Sequence, residues 1–417
     1  MTHASVRGTR RWMALLCLVC LMFAGATGSS AQTGSSTVVL IGLDGFHPSY
    51  LERPASRHLR ELTRAGVRAR SLIPVFPTLT FPNFYTMATG LYPDHHGIVS
   101  NTMVDSTLGR FALRDRAAVR DRRWWGGEPI WATAVRQGKR AATFFWPGSD
   151  VAIGGVRPTW YKMFDARVPN EDRVTQVLDW LSLPAERAPS LITVYFGDVD
   201  DAGHQFGPDA PETDAAIARV DSAVGAIMNG VKQRGLEERV NLVVVSDHGM
   251  ARVEPGHLIY LDDFVDPATV NIVDLGAVLS LSLKSGASDS AYRALARVPH
   301  LRTYRKGDMA RYHYGNHPRI PGIVAVADEG WLVTTRGLAA IRSRFTRGAH
   351  GYPPETPSMQ AIFLARGPAF WKGVVVPPFQ NVHLYSLLAH LLGVTPAPND
   401  GSLDSVKSVL VNSNPPR

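Results

Sequence analysis

The chain is predicted to fold as an α/β protein, with a mostly parallel central sheet flanked by helices and a smaller α+β insert. Three observations predict this. Short apolar runs at 38–43, 191–196 and 241–246 alternate with amphipathic stretches, the order that builds parallel sheets through crossover helices. The runs are predominantly apolar rather than alternating, as strands covered on both faces are. Each run also leads into acidic residues: Asp44, then Asp198-Val199-Asp200, then Asp247-His248. In open parallel sheets, functional groups lie beyond the carboxyl ends of strands.

Residues 1–31 read as a signal peptide. Arg7, Arg10 and Arg11 precede an apolar stretch at 12–25, shorter than the roughly 20 residues a membrane span needs, and Ser29-Ser30-Ala31 offers a cleavage site. Thr9-Arg10-Arg11-Trp12 leaves both the twin-arginine and the general export route open. Cys17 and Cys20, the only cysteines, lie in this segment, so the mature chain has no disulfide and no thiolate ligand. The segment holds three arginines and no acid, so the formal charge falls from +8 to +5 on cleavage. The basic residues are scattered, which points to no stable nucleic-acid partner. No later apolar run is long enough to cross a membrane, so a soluble periplasmic or secreted protein is expected. The pattern specifies no oligomeric state.

After a polar lead-in, the expected globular domain covers 37–400, and 401–417 form a C-terminal tail. Helices are expected at 56–65, with Leu59 and Leu62 inward and Gly66 as the stop, and at 84–89, closed by Gly90. Residues 105–123 are rich in arginine and read as a surface excursion. A helix at 128–137 and a strand at 141–146 follow. The next helix, at 170–183, has Val174, Val177, Leu178 and Leu181 on one face. Ile217, Val220, Val224, Ile227 and Val231 repeat at helical spacing up to Gly235. Residues 252–345 carry short alternating segments, 278–283 and 331–335 among them, which predict an antiparallel insert. A strand at 361–364 and a helix at 384–392 close the domain.

The chemistry centres on Pro77-Thr78-Leu79-Thr80-Phe81-Pro82-Asn83, just before an expected helix. A threonine there is an N-cap by default. Helix N-termini also favour anions, so a hydroxyl held there is placed to meet a phosphate. Thr78 and Thr80 both qualify. The strand-end set, Asp44, Asp200, His204, Asp247, His248 and His350, combines carboxylate and imidazole without thiolate, which suits zinc or a similar divalent ion. Six such groups and a threonine exceed one tetrahedral ion and suit two. His95 and His96 sit in a Pro-Asp-His-His-Gly turn and read as structural.

Gly42-Leu43-Asp44-Gly45, residues 76–83, residues 90–101, Asp200-Asp201-Ala202-Gly203-His204, Asp247-His248-Gly249 and Gly348-Ala349-His350-Gly351-Tyr352 run in one order across the chain. In that order they resemble the nucleotide pyrophosphatase/phosphodiesterase family of the alkaline phosphatase superfamily. The resemblance implies an alkaline-phosphatase-like core and makes 37–400 a phosphodiesterase catalytic domain. It implies two zinc ions per chain, one held by Asp200, His204 and His350, the other by Asp44, Asp247, His248 and the oxygen of Thr80. It makes Thr80 the nucleophile and Asn101 the donor to a phosphoryl oxygen, assisted by the backbone N–H of Phe81. It also implies a nucleobase slot at Phe81 and Tyr195, with Leu113 beside them; the pattern alone equally allows Phe81 and Tyr195 as core residues.

On this reading the substrate is a small nucleotide phosphodiester or pyrophosphate, cleaved through a phosphothreonine to release a nucleoside 5′-monophosphate. The alternative keeps the metals and changes the substrate to a phospholipid- or choline-type diester or a monoester. No Lys or Arg occurs at 71–109 or 188–218, and a monoester dianion ordinarily calls for a fixed cation, so the motif surroundings favour a diester unless the insert delivers an arginine.

Overall fold

The computed structural model describes Met1 and residues 36–284, 289–341, 346–411 and 413. The expected signal peptide lies outside the described residues. The central sheet has eight strands in the spatial order Val374–Val376, Val67–Ala69, Phe363–Arg366, Val240–Val245, Thr37–Leu43, Leu191–Phe196, Ala141–Phe144, Trp160–Lys162. Only Phe363–Arg366 runs against the others. The mostly parallel α/β sheet expected from the sequence is therefore present. Strand Thr37–Leu43 is its axis, pairing in parallel with Leu191–Phe196 on one side and Val240–Val245 on the other.

Both faces of that strand are covered, which explains its unbroken apolar run. Val38 and Leu40 face one core with Phe84, Ile130 and Leu384. Val39, Ile41 and Leu43 face a second core with Leu59, Leu62, Val177 and Val220. Helices Arg57–Ala65, Asn170–Leu181 and Pro211–Gln233 supply the second core; Thr80–Thr89, Ile130–Arg136 and Leu384–Leu392 supply the first. Gly42 is needed where the two meet: a Cβ there would stand 2.7 Å from Phe84 Cε1 and 3.0 Å from Trp146.

The insert has its own apolar core and a four-stranded antiparallel sheet in the order Val270–Asp274, Val278–Leu283, Ile323–Ala327, Leu301–Arg305. One segment departs from the expectation. Leu332–Thr334 pairs in parallel with Leu258–Tyr260, outside that sheet. Alternation in sequence reports a half-buried strand but carries no direction, and the long crossover between these two segments permits a parallel pair. The arginine-rich stretch at 105–123 also does more than cover surface. It forms a hairpin, Thr102–Asp105 with Gly109–Ala112, and a helix, Arg116–Arg120, and it buries Phe111 and Val119 in the main core. Val406 and Val409 are fully buried in that core as well.

The helix expected at 84–89 begins earlier, covering Thr80–Thr89. Pro82 sits in its first turn, where a missing N–H costs nothing. Asn83 ties this turn to the preceding loop. Its Oδ1 accepts from Val75 N and Asn381 Nδ2, both at 2.8 Å, and its Nδ2 donates to Pro77 O at 2.9 Å and Leu79 O at 3.0 Å. Replacing Asn83 by Ala takes the acceptor from the buried Val75 N–H and Asn381 Nδ2, while Pro77 O and Leu79 O keep the backbone N–H groups of Leu79 and Asn83. The expected loss is about 2–4 kcal/mol of unfolding free energy in urea titration; a loss under about 1 kcal/mol would show that the loop does not depend on this side chain.

Candidate active site

The adjacent parallel strands Thr37–Leu43, Leu191–Phe196 and Val240–Val245 end side by side, with Leu43 in register with Phe196 and Gly42 with Val245. Their extensions deliver Asp44, Asp200 and Asp247 to one place. The segment after Phe196 is helical, Asp198–Phe206, so Asp200 and His204 share one face at i,i+4 spacing. Gly348–Ala349 pairs with Ala251–Arg252, and this small ladder carries His350 in. All six residues expected to hold metal therefore meet.

Distances define two overlapping groups. Asp200, His204 and His350 form one, and Asp44, Asp200 and His248 another, with ligand atoms in each group within 4.8 Å of one another. Asp200 belongs to both. Asp247 joins the second, its Oδ2 lying 2.9 Å from His248 Nε2 while its Oδ1 accepts Gly45 N at 3.1 Å.

The histidine tautomers are fixed by their outer partners. Nδ1 of His204 faces Gly348 O at 2.8 Å, Nδ1 of His248 faces Gly249 O at 2.9 Å, and Nδ1 of His350 faces Thr78 O at 2.8 Å. Carbonyl oxygens only accept, so each Nδ1 carries the hydrogen and each Nε2 points a lone pair inward. His350 Nε2 then lies 3.1 Å from His204 Nε2. Burial, with His248 and His204 alongside, holds the His350 imidazole well below its ordinary pKa, which disfavours a proton between them. Asp44 Oδ1, Asp200 Oδ1 and Asp247 Oδ2 are buried without a hydrogen bond. Burial, Asp247 and Asp200 together raise the Asp44 carboxyl well above the usual range. Burial opposes the charged form of His248, but Asp247 and Asp200 outweigh it and raise its pKa. Converging lone pairs and unpaired carboxylate oxygens are relieved by cations between them. The donor set fits divalent metal.

Thr80 is the first residue of its helix, not the cap. Leu79 occupies the cap position in extended geometry, and no side chain caps this end. The expected cap role is thus replaced, because the helix starts before Phe81-Pro82 and not after it. Thr80 Oγ1 lies 3.5 Å from His248 Nε2, facing the second group. Thr78, the other candidate hydroxyl, is turned away: its Oγ1 donates to Tyr352 O at 2.8 Å and accepts Gly351 N at 2.9 Å. The Phe81 N–H donates to Asn101 Oδ1 at 2.9 Å, so it is engaged by the side chain it was expected to assist. That bond holds the Asn101 side chain at its Oδ1, and Asn101 lines the cavity. His96 is buried against Thr86 Oγ1 and burial lowers its pKa to about 3, while His95 pairs with Asp400, so both are structural.

Above the cluster opens a cavity of about 1170 Å³, lined by Asp44, Thr80, Asn101, Asp200, His204 and His350 at its base and by Phe81, Leu113 and Tyr195 on its walls. Tyr195 donates to Asp44 Oδ2 at 2.5 Å, and its ring packs edge-on to Phe84, which binds it to the metal-facing carboxylate. Phe164, absent from the expected set, lines the same wall with 39% of its surface exposed. It follows the sheet's outermost strand, Trp160–Lys162, at its carboxyl end. That short strand carries no motif, and position alone would have pointed to it. The cavity also holds cations: Arg114, Arg116, Lys162, Arg167, Arg173 and Arg219. These come from outside 71–109 and 188–218, and not from the insert, so the local scarcity of Lys and Arg does not extend to the folded cavity. Arg116 is paired with Asp150 and Arg219 with Asp198. Among the described residues, no Lys or Arg is hydrogen-bonded or ion-paired to Thr80 or to the six metal-facing side chains.

A phosphodiesterase-like α/β core with a two-group metal cluster at its strand ends defines the class, and sequence comparison agrees. The profile of the type I phosphodiesterase / nucleotide pyrophosphatase family matches residues 38–353, and the chain belongs to that family. It is 39% identical over 93% of its length to the venom phosphodiesterase CdcPDE of Crotalus durissus collilineatus. It is 35% identical over 96% of its length to an uncharacterized pyrophosphatase/phosphodiesterase of Schizosaccharomyces pombe, covering 86% of that protein. The chain spans about half the length of the venom enzymes, 48% of CdcPDE. Among solved structures it resembles murine ectonucleotide pyrophosphatase/phosphodiesterase 5, in an inactive threonine-to-alanine variant in complex with AMP: TM-score 0.85, 36% identity, covering 90% of this chain and all of that one.

The lone-pair and carboxylate convergence predicts the effect of metal removal. Dialysis against a chelator should lower Tm by roughly 5 °C or more, and divalent metal should restore it. A chelated protein with unchanged Tm would mean that the cluster is relieved by protons alone.

Proposed function

We propose that this protein is a two-zinc hydrolase that cleaves nucleotide pyrophosphates and phosphodiesters and releases nucleoside 5′-monophosphates. The observation that carries this reading is the position of Thr80 Oγ1, 3.5 Å from His248 Nε2 at the base of a cavity with aromatic walls. Asp200, His204 and His350 would hold one zinc; Asp44, Asp247 and His248 would hold the other beside Thr80. Bound there, zinc would lower the pKa of the Thr80 hydroxyl and of water and offset charge on the phosphoryl oxygens.

Thr80 Oγ attacks phosphorus, and the bond from phosphorus to the leaving-group oxygen breaks. The Thr80 proton leaves to solvent, and the leaving oxygen takes one up. Water then attacks the phosphothreonine, the bond from phosphorus to Thr80 Oγ breaks, and one proton of that water returns to Thr80. Asn101 Nδ2 donates to a phosphoryl oxygen. With two Zn²⁺ bound, the three carboxylates and a deprotonated Thr80 would offset their formal charge, so a phosphodiester monoanion would meet a near-neutral site. Phe81, Leu113 and Tyr195 are the proposed base-side wall. The threonine variant and the AMP of the murine relative support both the threonine role and a nucleotide ligand. The leader at 1–31 supports export to the periplasm or medium, and no described helix is long and apolar enough to cross a membrane.

Thr80→Ala should lower kcat on the nitrophenyl ester of TMP by at least about 10³-fold, with zinc content unchanged at two ions per chain by elemental analysis. Undiminished turnover would remove Thr80 from the mechanism. Nitrophenyl phosphate turned over faster than the TMP ester would assign the cavity to monoesters.

A further inference from the structure

Among the described residues, the insert at 252–345 contributes no side chain to the two metal groups, yet it is tied to the segment that carries Asn101. Arg319, partly buried, donates from Nη1 to Gly97 O at 2.9 Å and Trp124 O at 2.6 Å, and from Nε to Asp105 Oδ2 at 2.9 Å. Tyr314 OH donates to Val99 O at 3.2 Å. Asp94 accepts from the backbone N–H groups of Gly315, Asn316 and His317. Nearest to Asn101, Ser100 Oγ donates to Asp274 Oδ2 at 2.9 Å and accepts Thr102 N at 3.3 Å, so one hydroxyl pins the residues on both sides of Asn101. Asp274 is itself held, its Oδ1 accepting Leu275 N at 3.0 Å.

We propose that Asp274 and Ser100 are positioning residues for Asn101, and that the insert acts as a brace that aims the Asn101 amide at the phosphoryl oxygen. The inference rests on the proposed role of Asn101 and deepens it. The core alone holds this side chain at one point, the Phe81 N–H on Oδ1. That bond leaves the amide free to pivot, and a donor to a developing charge works only when its direction is fixed beforehand. The Asp274–Ser100 bond fixes the backbone from which the amide projects. Burial pushes the Asp274 carboxyl up to about 6, so at neutral pH it is ionised and accepts as a charged group, the stronger kind of bond. The partners lie on different elements: Ser100 at the entrance to strand Thr102–Asp105, Asp274 at the end of Val270–Asp274. A brace between domain and insert is what this arrangement provides.

The test is a double-mutant cycle on the zinc-loaded full chain with the nitrophenyl ester of TMP. Ser100→Ala and Asp274→Ala should each lower kcat about tenfold with KM within a factor of two, since a misaimed donor is lost mainly in the transition state. Asp274→Asn keeps an acceptor oxygen and should recover most of that loss. On an Asn101→Ala background, Ser100→Ala should have no further effect on kcat, which a general loss of structure would not produce. Should Asp274→Ala fail to fold, the small Ser100→Ala change carries the test. Full activity in Ser100→Ala, or an equal loss with and without Asn101, overturns the brace while leaving the Asn101 role intact. Full activity in Asn101→Ala overturns both.

Discussion

Three carboxylates held side by side at the ends of three central strands are the constraint on which the site depends. Asp44 and Asp247 are almost fully buried, and Asp200 belongs to both metal groups. Burial alone makes such a cluster unfavourable, and mutual repulsion adds to it. The protein aligns further lone-pair donors with it. Three imidazoles are locked through Nδ1 to backbone carbonyls so that every Nε2 faces inward, and three carboxylate oxygens are left without a protein donor. A site built this way fits divalent cations.

The sheet makes this cluster possible through its parallel order. Strands running in one direction place their carboxyl ends on one edge, and crossover helices return each chain segment to the opposite edge. Because strand Thr37–Leu43 is paired on both sides, Asp44 stands between the other two strand ends. The Thr80 helix then approaches from the first core, anchored by Phe84 against Gly42 and Trp146 and by the buried Asn83. Close packing, not local sequence, sets how near its first residue comes to His248.

The cavity walls follow a different logic. Its aromatic and cationic side chains come from segments with weak secondary structure, such as the hairpin at 102–112 and the stretch after Trp160–Lys162. Most of the arginines there are engaged by nearby acids or carbonyls, as Arg116 is by Asp150 and Arg173 by Tyr195 O. Most of these arginines are therefore engaged away from the cluster, and the wall meets it through Tyr195, which donates to Asp44 Oδ2.

The sequence by itself determined the layer order, the main strands and helices, the six acidic and histidine residues that meet at the strand ends, and the family. Continuous apolar runs and fixed motif order are local signals, and they survive folding. The stretch alone left Thr78 and Thr80 both before the expected helix, and the resemblance singled out Thr80. The fold turns Thr78 onto Tyr352 and Gly351 and starts the helix at Thr80. It also read 105–123 as surface, because arginine content hides the buried Phe111 and Val119, and it missed Phe164, which carries no motif. The link from Asp274 to Ser100 joins residues far apart in the chain, and only tertiary packing brings a carboxylate from the insert to the neighbour of Asn101. Residue type and local pattern specify which groups exist; long-range contacts specify where each one points.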